Sequence, residues 1–182
     1  MTIAPDDRQT MIALARSGVE ARIKGKARPQ AGPLSGVLAE KRGCFVTLTN
    51  RGKLRGCIGT FQPSQPLGQT LIEMGGAAAS DPRFTSNPVV SYELPELTIE
   101  VSVLTPLQPT ARSQDLQIGR DGIYIVSGLR SGCFLPEVAT DQGWSAEEFL
   151  SYCCAHKAGL PPDAWKDPQT KVYLFQSEKF SE

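Results

Sequence analysis

The sequence is poor in the residues that most often bind metals. It has one histidine and five cysteines among 182 residues, and no pair of cysteines has the CxxC spacing of a zinc site. The odd number and irregular spacing of the cysteines also argue against a disulfide framework and favour a reducing compartment. We therefore expect a cytoplasmic protein without a metal, and no motif predicts a cofactor.

The sequence also lacks a net charge and a long apolar run. Its nineteen basic and nineteen acidic residues cancel, so no overall positive field is available to attract nucleic acid. No apolar run approaches the roughly 18 residues of a membrane span, and the N-terminus has no apolar signal-peptide core. Membrane and nucleic-acid binding are therefore not expected. At this length we expect one domain, or two closely packed lobes.

The most informative stretch is Leu54–Phe61, which reads LRGCIGTF. It follows a turn signal at 50–52 and a β-prone run at 44–48, so the two runs predict a hairpin. Strand alternation predicts two faces: Arg55, Cys57, Gly59 and Phe61 on one, and Leu54, Gly56, Ile58 and Thr60 on the other. Two glycines weaken a strand, so they indicate a bulge or the close approach of another group. A thiol and a guanidinium among such glycines make this stretch the first candidate site.

The remaining elements of the first half are predicted from apolar periodicity. A helix is expected at about 5–24, and a second helix from Pro66 to near Ser80. A strand at 97–104 alternates cleanly and has a polar face that includes Glu100. After the first helix comes a basic cluster of Arg22, Lys24, Lys26 and Arg28. This cluster could bind phosphate, but it fits a solvated helix C-terminus better.

The second half repeats the order of hairpin, helix and strand. The G-x-F-x-P pattern at 59–63 recurs at 132–136, each time at the end of a predicted hairpin. We therefore predict an internal duplication, with a first unit at about 43–105 and a second at about 122–180. The late helix has a capping box at Ser145 and Glu148 and a stop at Gly159. Its adjacent cysteines, Cys153 and Cys154, are expected to be buried rather than redox-active.

Five motifs carry a family resemblance. They are LRGCIGTF, DPRF at 81–84, EVSVLTP at 100–106, LPEVATDQGW at 135–144 and KAGL at 157–160. In this order they resemble the AMMECR family over about 43–180. The resemblance implies an α+β fold of duplicated hairpin–helix–strand units, with a curved, mostly antiparallel sheet, flanking helices and two lobes. It also implies Memo-like and radical-SAM proteins as partners. It implies no reaction, because no activity is established for the family.

Three interpretations of the LRGCIG stretch are open. In an enzyme, Cys57 is the nucleophile, with its thiolate favoured by Arg55 or Arg83 and an oxyanion bound by glycine N–H groups. Its base would be Glu100 or the lone histidine, His156. In a binding module, the two arginines hold an anionic group. In a structural role, the glycines bend the strand and Arg55 pairs with an acidic residue, either Asp81 or Glu100.

We favour a protein that binds a small anionic ligand or a protein partner at Leu54–Gly59, with a cysteine-dependent hydrolase or transferase as the alternative. Cys57 is the predicted catalytic residue in that alternative. The predicted ligand-binding residues are Arg55, Gly56, Gly59, Asp81, Arg83, Glu100 and Glu137. Charged side chains at strand and helix ends can be held rigidly while solvent enters. Five residues are therefore expected to meet in one cleft between the halves: Arg55, Cys57, Asp81, Arg83 and Glu137.

Overall fold

The structure is a computed structural model that describes residues 2–110 and 115–182. It divides into two compact units, Met1–Leu104 with Glu178–Glu182, and Thr105–Ser177. Each unit contains helices and a four-stranded sheet, and the strand pairings that position the candidate site are antiparallel. The predicted α+β class is confirmed.

The first unit combines two helices with four strands. These elements are α1 (Pro5–Ile23), β1 (Cys44–Asn50), β2 (Lys53–Thr60), α2 (Leu67–Ala78), β3 (Leu97–Leu104) and β8 (Ser177–Ser181). The predicted first helix is α1, which has Pro5 at its start and two aspartates in its first turn, where they face the positive end of the helix dipole. The start of α2 differs slightly from the prediction, because Pro66 is the residue before the first helical position.

The core of the first unit lies between its helices and one face of its sheet. The strand order is β2-β1-β3-β8. Inward-facing residues of β1 and β3 are buried with residues of α1 and α2 in one cluster: Met11, Ala15, Val19, Cys44, Val46, Leu48, Leu67, Leu71, Ile99, Val101 and Val103. The alternation predicted for β3 is confirmed. The opposite sheet face carries the polar residues, including Thr47 and Glu100, which are paired across β1 and β3.

Glycines let α1 and α2 approach each other at backbone distance. A Cβ atom on Gly18 would lie 2.0 Å from the carbonyl oxygen of Ile72, and one on Gly75 would lie 2.2 Å from that of Ala15. Real Cβ atoms do not approach oxygen so closely, so only glycine fits at both positions. Gly75 therefore lets the backbone of α1 pack close to α2.

The second unit has a hairpin, helices and a later strand in the same chain order as the first. Its elements are β4 (Gln108–Thr110), β5 (Gly122–Ser127), β6 (Arg130–Phe134), α3 (Pro136–Gln142), α4 (Ala146–Cys153) and β7 (Lys171–Phe175). The strand order is β4-β7-β5-β6, so β5 lies between its hairpin partner and the later strand, as β1 does. The capping box of α4 is formed: the N–H of Glu148 donates to Ser145 Oγ, and the Ser145 N–H donates to the Glu148 carboxylate.

The chain terminus differs from the sequence prediction. The sequence assigns everything from about 122 to 180 to the second unit. In the structure, β8 belongs to the sheet of the first unit. The N–H of Ile3 and the guanidinium of Arg8 both donate to the Glu178 carboxylate, and Phe180 is buried in the first core. The C-terminus therefore completes the first unit.

Candidate functional site

The strand β2 contains a bulge at Arg55. Cys57 pairs with Thr47 and Gly56 with Leu48, but the next pair in the ladder is Leu54 with Thr49. Arg55 is therefore the extra residue, and the bulge interrupts the alternation of faces. The predicted faces are wrong at this point, because Leu54 lies on the same side as Cys57.

Arg55 is buried and bonded within the protein. Its Nε donates to Glu93 Oε1 at 2.8 Å and its Nη2 donates to Glu93 Oε2 at 2.9 Å. Its Nη1 also donates to the carbonyl of Asn87, and its Nη2 to the carbonyl of Pro88. The hydrogen bond from Arg55 holds the pKa of Glu93 below its ordinary value. The ion-pair partner of Arg55 is Glu93, not the predicted Asp81 or Glu100. Through these hydrogen bonds Arg55 connects the segment 87–93 to β2.

The two strand glycines are required by close contacts. A Cβ atom on Gly56 would lie 2.0 Å from the carbonyl oxygen of Ala78, where α2 ends. On Gly59 it would lie 2.3 Å from Cδ1 of Phe45 and 2.4 Å from the Cys44 carbonyl oxygen. Both glycines therefore serve the packing of the unit, as the sequence indicated for a strand approached closely by other groups.

Asp81 and Arg83 hold the backbone of Cys57. The Cys57 N–H donates to Asp81 Oδ2 at 2.9 Å, and the Cys57 carbonyl accepts from Arg83 Nη2 at 3.0 Å. Because β2 is an edge strand, these groups would otherwise lack a partner strand. The carboxylate also accepts from the N–H and Nε of Arg83, each at 3.0 Å from Oδ1. The DPRF loop thus supplies the hydrogen-bond partners that a neighbouring strand would otherwise provide to the N–H and carbonyl of Cys57.

The ion pair between these residues is asymmetric in its exposure. The side chain of Asp81 is 1% exposed and that of Arg83 is 59% exposed. The Arg83 hydrogen bond keeps the pKa of Asp81 far below its ordinary value, with further help from the N–H groups of Cys57 and Arg83. Among the described residues, Arg83 Nη1 has no hydrogen-bond partner. Arg83 is therefore fixed on its inner side and open to solvent on its outer side.

The thiol of Cys57 is half-buried on the polar face of the sheet. Its Sγ accepts a hydrogen bond from Thr47 Oγ1 at 3.2 Å. Thr47 also pairs with Glu100 across β3, so these three residues form one row, with Cys57 and Glu100 roughly 10 Å apart at Cα. Glu100 lies 3.6 Å from Lys179 Nζ. Sequence reasoning missed Thr47, although the turn at 50–52 sets the hairpin register that places it there.

The other cysteines differ from Cys57 in burial. Cys44, Cys153 and Cys154 are fully buried, and Cys133 is half-buried. Burial raises the pKa of Cys44 to about 12 and also raises the pKa of Cys153 and Cys154. The expectation that Cys153 and Cys154 pack as small apolar residues is confirmed.

Two predicted residues lie in the second unit. Glu137 is in the first turn of α3, and His156 stacks on Tyr152 in the π-helical turn Cys154–Ala158. The structure thus brings Cys57, Asp81 and Arg83 together and places Glu100 on the same sheet as Cys57. The convergence of Glu137 with these residues stays a prediction.

A cavity of about 430 Å³ borders the same loop. Its polar lining includes Arg22, Arg55, Ser80, Asp81 and Thr85.

Within residues 2–110 and 115–182, no three His, Cys, Asp or Glu side chains are placed to hold a metal ion. Within the same residues, no helix is both long and apolar enough to cross a membrane.

Comparison with known proteins identifies relatives along nearly the whole chain. The AMMECR1 family model matches residues 12–180. A protein of Methanothermobacter thermautotrophicus is 42% identical, with 99% of this chain and 96% of the relative covered. A protein of Thermococcus kodakarensis is 45% identical, with 94% and 88% covered. The crystal structure of an uncharacterised Pyrococcus horikoshii protein matches with a TM-score of 0.80 at 42% identity, covering 94% of this chain and 89% of that one. The chain belongs to the AMMECR1 family.

Proposed function

We propose that this protein binds a carboxylate or phosphate group, of a small molecule or of a partner protein, through Arg83. The observation that supports this most directly is the geometry of Arg83. Its inner donors are fixed by Asp81 and by the Cys57 carbonyl, while more than half of the side chain is exposed. A guanidinium already held in place loses little further entropy when it binds an anion, which is the usual advantage of preorganisation.

Asp81 limits how strongly Arg83 attracts an anion. The buried carboxylate stays ionised because the pKa of Asp81 is lowered, so it offsets the guanidinium charge at short range. Recognition therefore depends on directional hydrogen bonds from Nη1 more than on net charge. We expect a single anionic group to bind weakly, with a Kd of about 1 mM, and a ligand with further contacts to bind more tightly.

An NMR titration tests this proposal. Phosphate and citrate are added to ¹⁵N-labelled protein, and the Nε–H signal of Arg83 and the backbone N–H signals of Cys57 and Arg83 are followed. Saturable shifts of these signals are expected for the native chain. Arg83→Lys has no Nε–H signal at this position, so its readout is the two backbone signals; their shifts should be abolished, because lysine keeps the charge but not the planar set of donors.

Arg120 provides a matched control in the second unit. It pairs with the buried Asp121 and is itself about half exposed, as Arg83 is with Asp81. Arg120→Lys should leave the shifts at Arg83 unchanged. Shifts that survive Arg83→Lys, or that disappear equally in Arg120→Lys, would refute the assignment of the anion to Arg83.

A second candidate function is cysteine-dependent catalysis. Its support is the half-buried Cys57 thiol, which accepts a hydrogen bond from Thr47. The Cys57 N–H is already bonded to Asp81. Strand alternation therefore leaves the N–H of Gly59, two residues on, as the donor for an oxyanion on that edge. Glu100 lies two strands away and would need a bridging group to act as a base.

Iodoacetamide labelling read by mass spectrometry tests this candidate. Cys57 should react first, because Cys44, Cys153 and Cys154 are buried and their pKa values are raised. Cys133 is the internal control, because it is also half-buried on a strand. Reaction led by Cys153 or Cys154, with Cys57 inert, would remove the catalytic interpretation.

Two further parts of the proposal concern context. A cytoplasmic location is supported by the five cysteines, none of which forms a disulfide within residues 2–110 and 115–182, as is usual in a reducing compartment. Association with Memo-like and radical-SAM proteins is supported by membership of the family. Co-purification of these proteins with the tagged native chain, and its loss in a variant changed at Arg83, would link that association to the candidate site.

A further inference from the structure

Three basic side chains line one cavity in the first unit. The cavity has a volume of about 560 Å³, and Arg22, Lys26 and Arg28 contribute to its lining. The sequence alone favours a solvated helix end for this cluster. The structure separates its members: Lys24 is not part of the lining and pairs with Glu20 at 2.6 Å. The other three cations surround a space large enough for a small molecule.

The backbone after α1 produces this arrangement. Gly25 has a φ of 63°, and the N–H of Lys26 donates to the carbonyl of Ala21 at 2.8 Å. A glycine in the left-handed conformation ends the helix and redirects the chain. Beyond it, Arg28 reaches α2, where it lies 3.5 Å from Glu73. Arg22 is held from the other side, because its Nε donates to Ser80 Oγ.

The charges around the cavity are unbalanced. Three cations face one carboxylate, Glu73, which leaves an excess of two positive charges in the lining. Within residues 2–110 and 115–182, neither the Nη atoms of Arg22 nor the ammonium of Lys26 has a hydrogen-bond partner. These donors are therefore available to the oxygen atoms of an anion.

The floor of the cavity is small and apolar. It includes Gly18, Ala21, Ile72, Gly76 and Ala77. Because α1 and α2 touch at backbone distance, the glycine positions leave little room for a side chain; a Cβ atom on Gly76 would already lie 3.3 Å from the Gly18 carbonyl oxygen. A flat apolar group can lie on such a floor while its anionic end reaches the rim.

We propose that this cavity binds a phosphorylated small molecule that has an apolar or aromatic part. The phosphate oxygens would accept hydrogen bonds from Arg22, Lys26 and Arg28, and the apolar part would cover the glycine and alanine floor. The proposal does not depend on the anion site at Arg83, because neither Arg83 nor Cys57 lines this cavity.

Isothermal titration calorimetry with adenosine diphosphate and with inorganic pyrophosphate tests the proposal. Adenosine diphosphate should bind saturably with a Kd below about 1 mM, and pyrophosphate should bind more weakly because it cannot use the floor. Lys26→Ala and Arg28→Ala should each weaken adenosine diphosphate binding by about fivefold or more. Both residues are exposed, so these variants should fold normally, and melting curves verify this.

Lys24→Ala is the matched control. It removes the same charge from the same segment without changing the cavity lining, so adenosine diphosphate should bind it as it binds the native chain. Three results would overturn the proposal: no saturable binding, equal weakening in Lys24→Ala and Lys26→Ala, or loss of binding only in Arg83→Lys. Equal affinity for pyrophosphate and adenosine diphosphate would overturn the role of the apolar floor.

Discussion

At the residue scale, Arg55 is the arginine whose role changes most between sequence and structure. Its side chain and that of Glu93 are 10% and 11% exposed. We expect Arg55→Ala to lower the free energy of unfolding by roughly 3–5 kcal/mol, because it leaves a buried carboxylate without its partner. Urea denaturation measures this change.

The control for Arg55 is the exposed pair of Arg51 and Glu96, which are 79% and 46% exposed. Glu96→Gln should change the stability by no more than about 1 kcal/mol. If Arg55→Ala lowered the free energy of unfolding by no more than Glu96→Gln does, Arg55 would not have a structural role. It would then be a candidate ligand-binding residue again.

Gly56 offers a second prediction at this scale. Any side chain there meets the end of α2, because a Cβ atom on Gly56 would lie 2.0 Å from the Ala78 carbonyl oxygen. Gly56→Ala should therefore destabilise the protein by at least about 2 kcal/mol, since strand and helix must move apart. Gly32→Ala is the control, because nothing lies within 4 Å of its Cβ position. Equal melting temperatures for the two variants would show that β2 and α2 can move apart at Gly56 without a loss of stability.

At the scale of elements, β8 connects the C-terminus to the first unit. Phe180 is 9% exposed within the first core, and the Arg8 guanidinium lies 5.7 Å from its ring centre. Phe180→Ala should cost about 3 kcal/mol, and hydrogen exchange should speed up in α1 and β3 before it does in β5. Leu129→Ala, at a fully exposed position, should have almost no effect. Faster exchange confined to the second unit would contradict the placement of β8.

The elements that sequence predicts best are those with strong local signals. β3 has the predicted bounds because its apolar and polar residues alternate without interruption, and α4 begins at its capping box. Sequence reasoning misses β8 because SEKFS is short, charged and stabilised by distant residues such as Ile3 and Arg8. It assigns Leu54 to the wrong face because the bulge at Arg55 depends on tertiary contacts that no local pattern shows.

In the candidate site, too, some features could be predicted from the sequence and others could not. The motifs predict the proximity of Cys57 to the DPRF loop, and the contact through Arg83 shows it. The role of each residue in that group depends on tertiary contacts, since Asp81 accepts a hydrogen bond from the backbone N–H of Cys57 and not from its thiol. For the basic cluster, the sequence could not show that Gly25 redirects the chain and separates Lys24 from Lys26.

At the scale of the whole molecule, buried carboxylates paired with arginines link stability to pH. Counted over the whole residue, backbone included, Asp81, Glu93 and Asp121 are each less than 10% exposed. Each has a lowered pKa. Arginine hydrogen bonds are the main cause for Asp81 and Glu93. At Asp121, burial raises the pKa, but the bonds from Arg120 and the Gln117 N–H outweigh it. Both units therefore contain carboxylates whose ionised form stabilises the folded state.

This arrangement predicts acid sensitivity of a definite sign. The pKa values of these carboxylates are lower in the folded chain than in the unfolded chain, where they are about 4. The unfolded chain therefore takes up protons first as the pH falls. Stability should be fully present at pH 7 and should decline from about pH 5 downward, as urea denaturation at successive pH values would show. Asp81→Asn should be less stable than the native chain at pH 7 and lose less stability on acidification, whereas Asp141→Asn, at an exposed position, should keep the native pH profile. A native-like slope in Asp81→Asn would mean that the buried carboxylate beside Cys57 does not contribute to the pH dependence of folding.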